Sequence, residues 1–367
     1  MSWYCPLPFN SISSDPAGYY ALCCESDSSK IHCTNTTLSE FKNSDYMNTI
    51  RDGFLSDDPK SVPEIREACH QCISKEREGA TSKRMRELKE TTYTHYMELK
   101  LIGNICNYAC IMCGPLSSSK IAEEKGMDLP KWSILSDEWW DDFDKISREY
   151  KCFKFSGGEP FMSPITKKIL NRLIKSGRAN EIDLQFNTNG SGSKKVIQRL
   201  LDNFKRVYIG FSIDAWGERN SIIRKHSTWE FTEDILWDYA DLCRTNEHEH
   251  FSMSIHPCVS ALNVGYLYEF EPFVKEACHL NNLVFSVSNT LAWPKEINIA
   301  NLPLEVKAKY LKDNYKFLSN TSIVSNGEGV INLLQTESKN ILGWSPEWIA
   351  KNVPDWKKWY PEYVWYE

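Results

Sequence analysis

Three cysteines, Cys106, Cys110 and Cys113, stand in the run ICNYACIMCG, separated by three and then two residues. Thiols this close on one loop suit a soft metal centre. Three rather than four is the informative count. Each iron of a [4Fe–4S] cube takes one cysteine, so three protein ligands leave one iron open to bind a substrate. A zinc site or three unrelated thiols would read the same locally. A second run with chemical content, Gly157-Gly158-Glu159-Pro160, follows at the end of a predicted strand. Its glycines let backbone carbonyls approach a bound ammonium, Glu159 adds a negative charge, and Pro160 stiffens the turn.

The cysteine spacing followed by Gly-Gly-Glu-Pro resembles the radical S-adenosylmethionine (SAM) enzymes at every cysteine, over roughly residues 94–290. The resemblance implies that Cys106, Cys110 and Cys113 hold a [4Fe–4S] cluster whose open iron chelates the amino and carboxylate groups of SAM. Reductive cleavage then gives a 5′-deoxyadenosyl radical that abstracts a hydrogen atom from substrate. By the same resemblance, Gly157, Gly158, Glu159 and Pro160 contact the SAM amino group. Ser212 and Asp214 reach the ribose or the methionine carboxylate, with Asn187 and Asn189 as weaker candidates. Arg224, ten residues past Asp214, pairs the methionine carboxylate. Such chemistry requires exclusion of water rather than an acid–base pair, so no catalytic side chain is assigned. An external one-electron reductant of the flavodoxin or ferredoxin type is implied as a partner.

These residues need elements to position them. From about residue 94, short apolar strands alternate with amphipathic helices in six units. Strands are expected at His95–Ile102, Cys152–Ser156, Ile182–Phe186, Val207–Ile213, Phe251–Ile255 and Leu283–Val287. Ser163-Pro164 opens a helix with Ile165, Ile169, Leu170, Leu173 and Ile174 on one face. A second helix carries Val196, Ile197, Leu200, Leu201 and Phe204, and a third runs from about Val264 to Leu280. Repeated strand–helix units predict an α/β fold with a parallel sheet and ligands at the carboxyl ends of its strands. Every polar or glycine-rich motif falls at that end. The family's partial (β/α)6 TIM-type barrel matches the count, over residues 91–292.

Residues 1–90 read as loop-rich and hold Cys5, Cys23, Cys24, Cys33, Cys69 and Cys72. A segment poor in hydrophobic runs needs a staple. The order Cys5, Gly18, Cys23, then Cys69-His70-Gln71-Cys72 resembles the first half of a SPASM extension, the twitch domain, placed here before the barrel. That resemblance implies an auxiliary [4Fe–4S] cluster on Cys5, Cys23, Cys69 and Cys72. Zinc on the same four thiols, and Cys24 in place of Cys23, remain open alternatives. Residues 293–367 form a helical, aromatic-rich extension with a helix near Leu304–Phe317. Trp344, Trp348, Trp356, Trp359, Tyr360, Tyr363, Trp365 and Tyr366 crowd its end at helical spacings that read as core packing.

The chain has 367 residues, 41% hydrophobic and 25% charged, enough for one large core and a smaller unit. A net charge of -6 gives no electrostatic reason to expect a nucleic-acid partner. Thirteen cysteines without a secretory signal or a long apolar run suggest a cytoplasmic chain that uses thiols for metal or burial, with no membrane partner. Cys152, Cys243 and Cys278 are expected to be buried hydrophobes. Cys258 and His256 lie at a strand end and read as packing residues, Cys258 with the option of donating a hydrogen atom. Glu218 and Arg219 read as a solvated loop. The function expected is radical chemistry on a peptide or protein. The same chemistry on a sugar, nucleoside or amino acid is the alternative, and an iron–sulfur electron carrier or zinc-stabilised binding protein is the alternative from another class.

Overall fold

The computed structural model describes residues 3–77, 81–89, 95–100, 103–131, 133–245, 250–277, 283–287, 290–291, 294–336 and 345–366. Cys278, Leu280, Trp293, Trp344 and the end of the first expected strand, Leu101 and Ile102, lie outside them, as do the side chains of Trp365 and Tyr366. Twelve strands occur among the described residues: β1 (Ser11–Ser14), β2 (Tyr19–Ala21), β3 (Ser28–His32), β4 (Tyr96–Glu98), β5 (Ala109–Cys110), β6 (Cys152–Phe155), β7 (Asp183–Thr188), β8 (Arg206–Phe211), β9 (Arg224–Lys225), β10 (Phe251–Ile255), β11 (Leu283–Ser286) and β12 (Val324–Ser325). The class is mixed α/β with parallel strands. The chain divides into two compact units, the first built from residues 1–106, 115–187 and 199–207, the second from residues 107–114, 188–198 and 208–367.

In the first unit the strand order is β7-β6-β4-β1-β2-β3. β1, β4, β6 and β7 run parallel, and β2 and β3 add an antiparallel edge. Phe153 and Phe155 of β6, and Leu184 and Phe186 of β7, are buried at alternate positions and so share one face of their strands, while Lys154 and Gln185 between them are half-buried. The helix Pro164–Lys175 starts where the sequence places it: Ser163 accepts a hydrogen bond from Thr166 N, and Pro164 occupies the first turn. Ile165, Ile169, Leu170 and Leu173 turn inward.

The first 90 residues are more regular than their loop-rich reading. Their helices are short and set by caps rather than by long periodicity: Thr37 and Glu40 form a reciprocal capping box, and Ser44 caps Asp45–Leu55. They bury a core of Phe41, Ile50, Phe54 and Ile65, with the Tyr20 ring stacked on Phe41 and the Tyr20 hydroxyl accepting from Trp139 Nε1 at 2.9 Å.

In the second unit the strand order is β12-β11-β10-β8, with β10, β11 and β12 parallel, and β5 pairs with β9 as a separate antiparallel ribbon. Cys243 is buried here, as Cys152 is in the first unit. Along the helix Lys194–Leu201, Val196 is exposed, whereas Ile197 is buried. The expected helix from Val264 begins as a 3₁₀ stretch, Val264–Phe270, and continues as Glu271–Ala277. The helix expected near Leu304–Phe317 spans Leu304–Leu318. Among the described residues no helix is long and apolar enough to cross a membrane.

Candidate functional site

In the second unit, Cys110 of β5 is the register partner of Arg224 of β9, and Ile111 N donates to Ile223 O at 2.9 Å, closing the ribbon. Directly paired residues share a face of a ladder. Arg224 Nη1 accordingly approaches Cys110 Sγ at 3.8 Å, and both residues are buried. The guanidinium is also held by Asp214, with Nε 2.8 Å from Oδ2 and Asp214 wholly buried. This contact is a charge pairing rather than an aligned hydrogen bond, for both atoms lack a hydrogen-bond partner by direction. The neighbouring anion holds the Arg224 cation firmly charged against the opposing effect of burial. The Cys110 thiol is drawn below its ordinary value by a hydrogen bond with Cys113, and the same bond raises Cys113.

Asp214 organises a wider set. Its Oδ1 accepts from Cys258 N at 2.8 Å, its backbone N donates to Asn220 Oδ1 at 2.9 Å, and its carbonyl accepts from Asn263 Nδ2 at 2.9 Å. Asn263 Nδ2 also reaches Cys258 O at 3.0 Å, and its Oδ1 accepts from Ser260 N at 2.7 Å. Thus one buried amide ties the end of β8 to the loop after β10. Nearby, Asn220 Nδ2 and Ser221 Oγ are buried without a protein partner. Atoms of this kind suit a polar ligand that supplies the missing bonds. Asn189 Nδ2 donates to Asn107 Oδ1 at 2.8 Å, inside the cysteine run, and Ser191 N donates to Asn189 Oδ1. Ser212 N donates to Thr188 O, which leaves its half-buried side chain at the strand end. His256, also half-buried, donates its backbone N to Phe211 O, and burial lowers its imidazole's affinity for a proton.

In the first unit, the Gly-Gly-Glu-Pro run packs against the backbone that leads into Cys106. Gly157 and Gly158 both hold positive φ, +81° and +56°. A β-carbon at Gly158 would lie 2.7 Å from Ile105 O, and Glu159 N donates to that same carbonyl at 2.7 Å. The glycine is therefore required by a close backbone approach as well as by its conformation. The Glu159 carboxylate is fully buried and accepts from Phe161 N at 3.1 Å, while Pro160 opens a 3₁₀ turn. Cys106 itself exchanges hydrogen bonds with Ser119, N to Oγ at 3.1 Å and Oγ to O at 3.2 Å.

Also in the first unit, Cys5, Cys23, Cys69 and Cys72 line one cavity with Trp3, Leu22, Phe54 and Lys83. Cys24 is not on its wall, and neither is Cys33. Burial pushes the Cys5 and Cys23 thiols up to about 12, and raises Cys69 as well. Four thiols on the wall of one cavity fit a metal group that displaces thiol protons on binding. Among the described residues no three Cys, His, Asp or Glu side chains converge as a closed metal-ion site.

Several site residues escape a sequence reading. Asn263, Asn220 and Ser221 carry no motif. Arg219, expected in a solvated loop, is buried: its guanidinium lies 3.4 Å from the centre of the Tyr266 ring and donates to Trp359 O at 2.7 Å. The C-terminal aromatics explain this, since they cover it. Tyr360 and Tyr363 are fully buried, and their hydroxyls donate to Leu262 O and Ala261 O, two residues of the loop that Asn263 fixes.

The family model described as Radical SAM superfamily matches residues 101–245. A serine-type anaerobic sulfatase-maturating enzyme of Bacteroides thetaiotaomicron is 26% identical over 211 residues, 52% of this chain and 47% of that protein. The chain thus spans about half the length of that relative. Among solved structures, SuiB of Streptococcus suis bound to S-adenosylmethionine aligns with a TM-score of 0.38 at 12% identity, covering 76% of this chain and 65% of that one. The radical S-adenosylmethionine methyltransferase TsrM of Kitasatospora setae, with cobalamin and a [4Fe–4S] cluster bound, aligns with a TM-score of 0.34 at 15% identity, covering 49% and 34%.

Proposed function

We propose, from the match of residues 101–245 to the radical SAM superfamily model, that this chain cleaves SAM reductively and abstracts a hydrogen atom from a peptide or protein substrate. Cys106, Cys110 and Cys113 would hold a [4Fe–4S] cluster, which supplies the electron for cleavage and a vacant iron for SAM. The single observation that carries the reading is the burial of Cys110 against the Arg224–Asp214 pair, inside the matched segment. Asn220 and Ser221 add unsatisfied polar atoms next to Asp214, suited to the ribose or the amino-acid part of SAM. Gly157, Gly158, Glu159 and Pro160 would present backbone carbonyls to the ammonium, with Asn189 and Ser212 as further polar contacts. The protein's contribution is to fix the cosubstrate and keep water out.

A peptide or protein substrate is supported by the curated relative, whose name gives a sulfatase as the object of its maturation. Cys5, Cys23, Cys69 and Cys72 would hold an auxiliary [4Fe–4S] cluster, supported by their sharing one cavity wall. An external one-electron reductant completes the reaction.

The test is anaerobic reconstitution of the full chain followed by dithionite and SAM. The expected product is 5′-deoxyadenosine, lost in Cys110→Ala. Absence of that product from iron-loaded wild type would end the proposal. Iron content should approach about eight per chain with two cubanes. A value of about four, unchanged in Cys69→Ala, would remove the auxiliary cluster and leave SAM cleavage standing.

A further inference from the structure

We infer that Arg224 sets the electron affinity of the cluster carried by Cys110, with Asp214 as its opposing charge; the inference rests on the cluster proposed above. A family resemblance gives Arg224 to the methionine carboxylate, but its geometry places it on sulfur. The ribbon makes Cys110 and Arg224 direct partners, so both side chains leave the same face. Nη1 then stands 3.8 Å from Cys110 Sγ, within reach of a donor–thiolate hydrogen bond. The opposite edge of the guanidinium is taken by Asp214 Oδ2 at 2.8 Å from Nε. Asp214 cannot swing away, because Cys258 N holds its other oxygen and Asn263 holds its carbonyl. The arrangement is a fixed dipole, positive end toward the sulfur and negative end away from it.

Reduction adds one negative charge to a cluster and its thiolates. A nearby cation and a hydrogen-bond donor stabilise that added charge, so they make reduction easier; hydrogen bonds to sulfur and net charge are among the levers on cluster potential. Burial strengthens the effect, since little solvent screens it. Asp214 works against it. The two partners of one ion pair therefore act with opposite sign on a single quantity, which a purely structural role for the pair would not produce.

The experiment is an anaerobic redox titration of the reconstituted full chain, followed through the cluster signal that changes when SAM is added. Poised at the wild-type midpoint, Arg224→Gln should lower the reduced-to-oxidised ratio about tenfold, a downward shift of about 59 mV for one electron. Asp214→Asn should move the ratio the other way, and Arg224→Lys should lie between Arg224→Gln and wild type. Arg224→Gln leaves Asp214 without its partner, so it is paired with Arg224→Gln/Asp214→Asn, in which no unpaired charge is buried. That variant should also fall below wild type in the same titration, since it lacks the cation beside the sulfur. Unchanged midpoints in Asp214→Asn and the double variant, with a weaker Kd for SAM, would return Arg224 to the cosubstrate carboxylate and overturn the inference. Shifts of the same sign in Asp214→Asn and Arg224→Gln would overturn it as well. If wild type shows no SAM-responsive cluster, the functional proposal itself fails and takes this inference with it.

Discussion

Gly158 sits so close to the chain entering the cysteine run that a β-carbon there would be 2.7 Å from Ile105 O. Its neighbour Gly157 differs: the nearest atoms to a β-carbon are 3.6 Å away, on Lys100 and Pro16. Both residues hold positive φ, so alanine at either costs about 1 kcal/mol of backbone strain. Only Gly158→Ala must also displace backbone, which cannot rotate aside. We expect Gly158→Ala to lose about 2–4 kcal/mol and Gly157→Ala about 1 kcal/mol, read by thermal unfolding. Iron loading should drop in Gly158→Ala alone.

The Tyr360 hydroxyl donates to Leu262 O at 2.9 Å and lies fully buried, so Tyr360→Phe strands a buried carbonyl while preserving the ring. The expected cost is about 1–2 kcal/mol. Because Leu262 adjoins Asn263, hydrogen exchange of residues 258–263 should accelerate in Tyr360→Phe and in Tyr363→Phe. Unaltered exchange there would mean the tail merely covers the loop.

The Asn263 side chain makes three hydrogen bonds, with Ser260 N, Cys258 O and Asp214 O. Asn263→Ala leaves one donor and two acceptors unpaired in a buried place. A loss of about 2–4 kcal/mol follows, measured by denaturant titration. Asn263→Asp, which keeps an acceptor for Ser260 N but turns a buried carboxylate oxygen toward the carbonyls of Cys258 and Asp214, should recover none of it.

Acid sensitivity should be partly traceable to Glu25, on the wall of the four-cysteine cavity. Burial alone would raise its carboxyl, but Lys75 at 2.7 Å and Arg86 at 2.5 Å hold it below its ordinary value. A carboxyl lowered in the folded state contributes stability above its unfolded value, and that contribution is lost as pH falls through the folded one. Wild type should therefore lose stability from about pH 4.5 downward. Glu25→Gln should start less stable at pH 7 and show a shallower decline over that interval. Parallel curves would exclude Glu25 as a source of the acid response.

The strands most legible in the sequence are those with buried apolar residues at alternate positions, such as Phe153 and Phe155 in Cys152–Phe155, and Phe251, Met253 and Ile255 in Phe251–Ile255. The strand Ser11–Ser14 is hidden because three of its four residues are serines, all buried, and pairing with Tyr96–Glu98 on one side and Tyr19–Ala21 on the other makes a strand of them. Propensity is silent where neighbours decide. The helices of the first 90 residues are hidden for a related reason, being too short for a periodic stripe and readable only from caps such as Thr37 and Ser44. At the site, cysteines and glycines announce themselves by spacing. The burial of Arg219 depends on residues some 140 positions later, and Asn263 on a carbonyl at Asp214, which no local pattern encodes.

The two-residue ribbon between Ala109–Cys110 and Arg224–Lys225 makes segment length a chemical variable. Side chains in a ladder alternate in direction, so adding a single residue between Ala215 and Ile223 would turn the guanidinium outward and bring Ile223 opposite Cys110. Every thiol would remain in place, yet the sulfur would trade a cation for a hydrocarbon neighbour. A relative with identical cysteines but a loop one residue longer would thus be a different electron acceptor, its change invisible to any comparison of ligands alone.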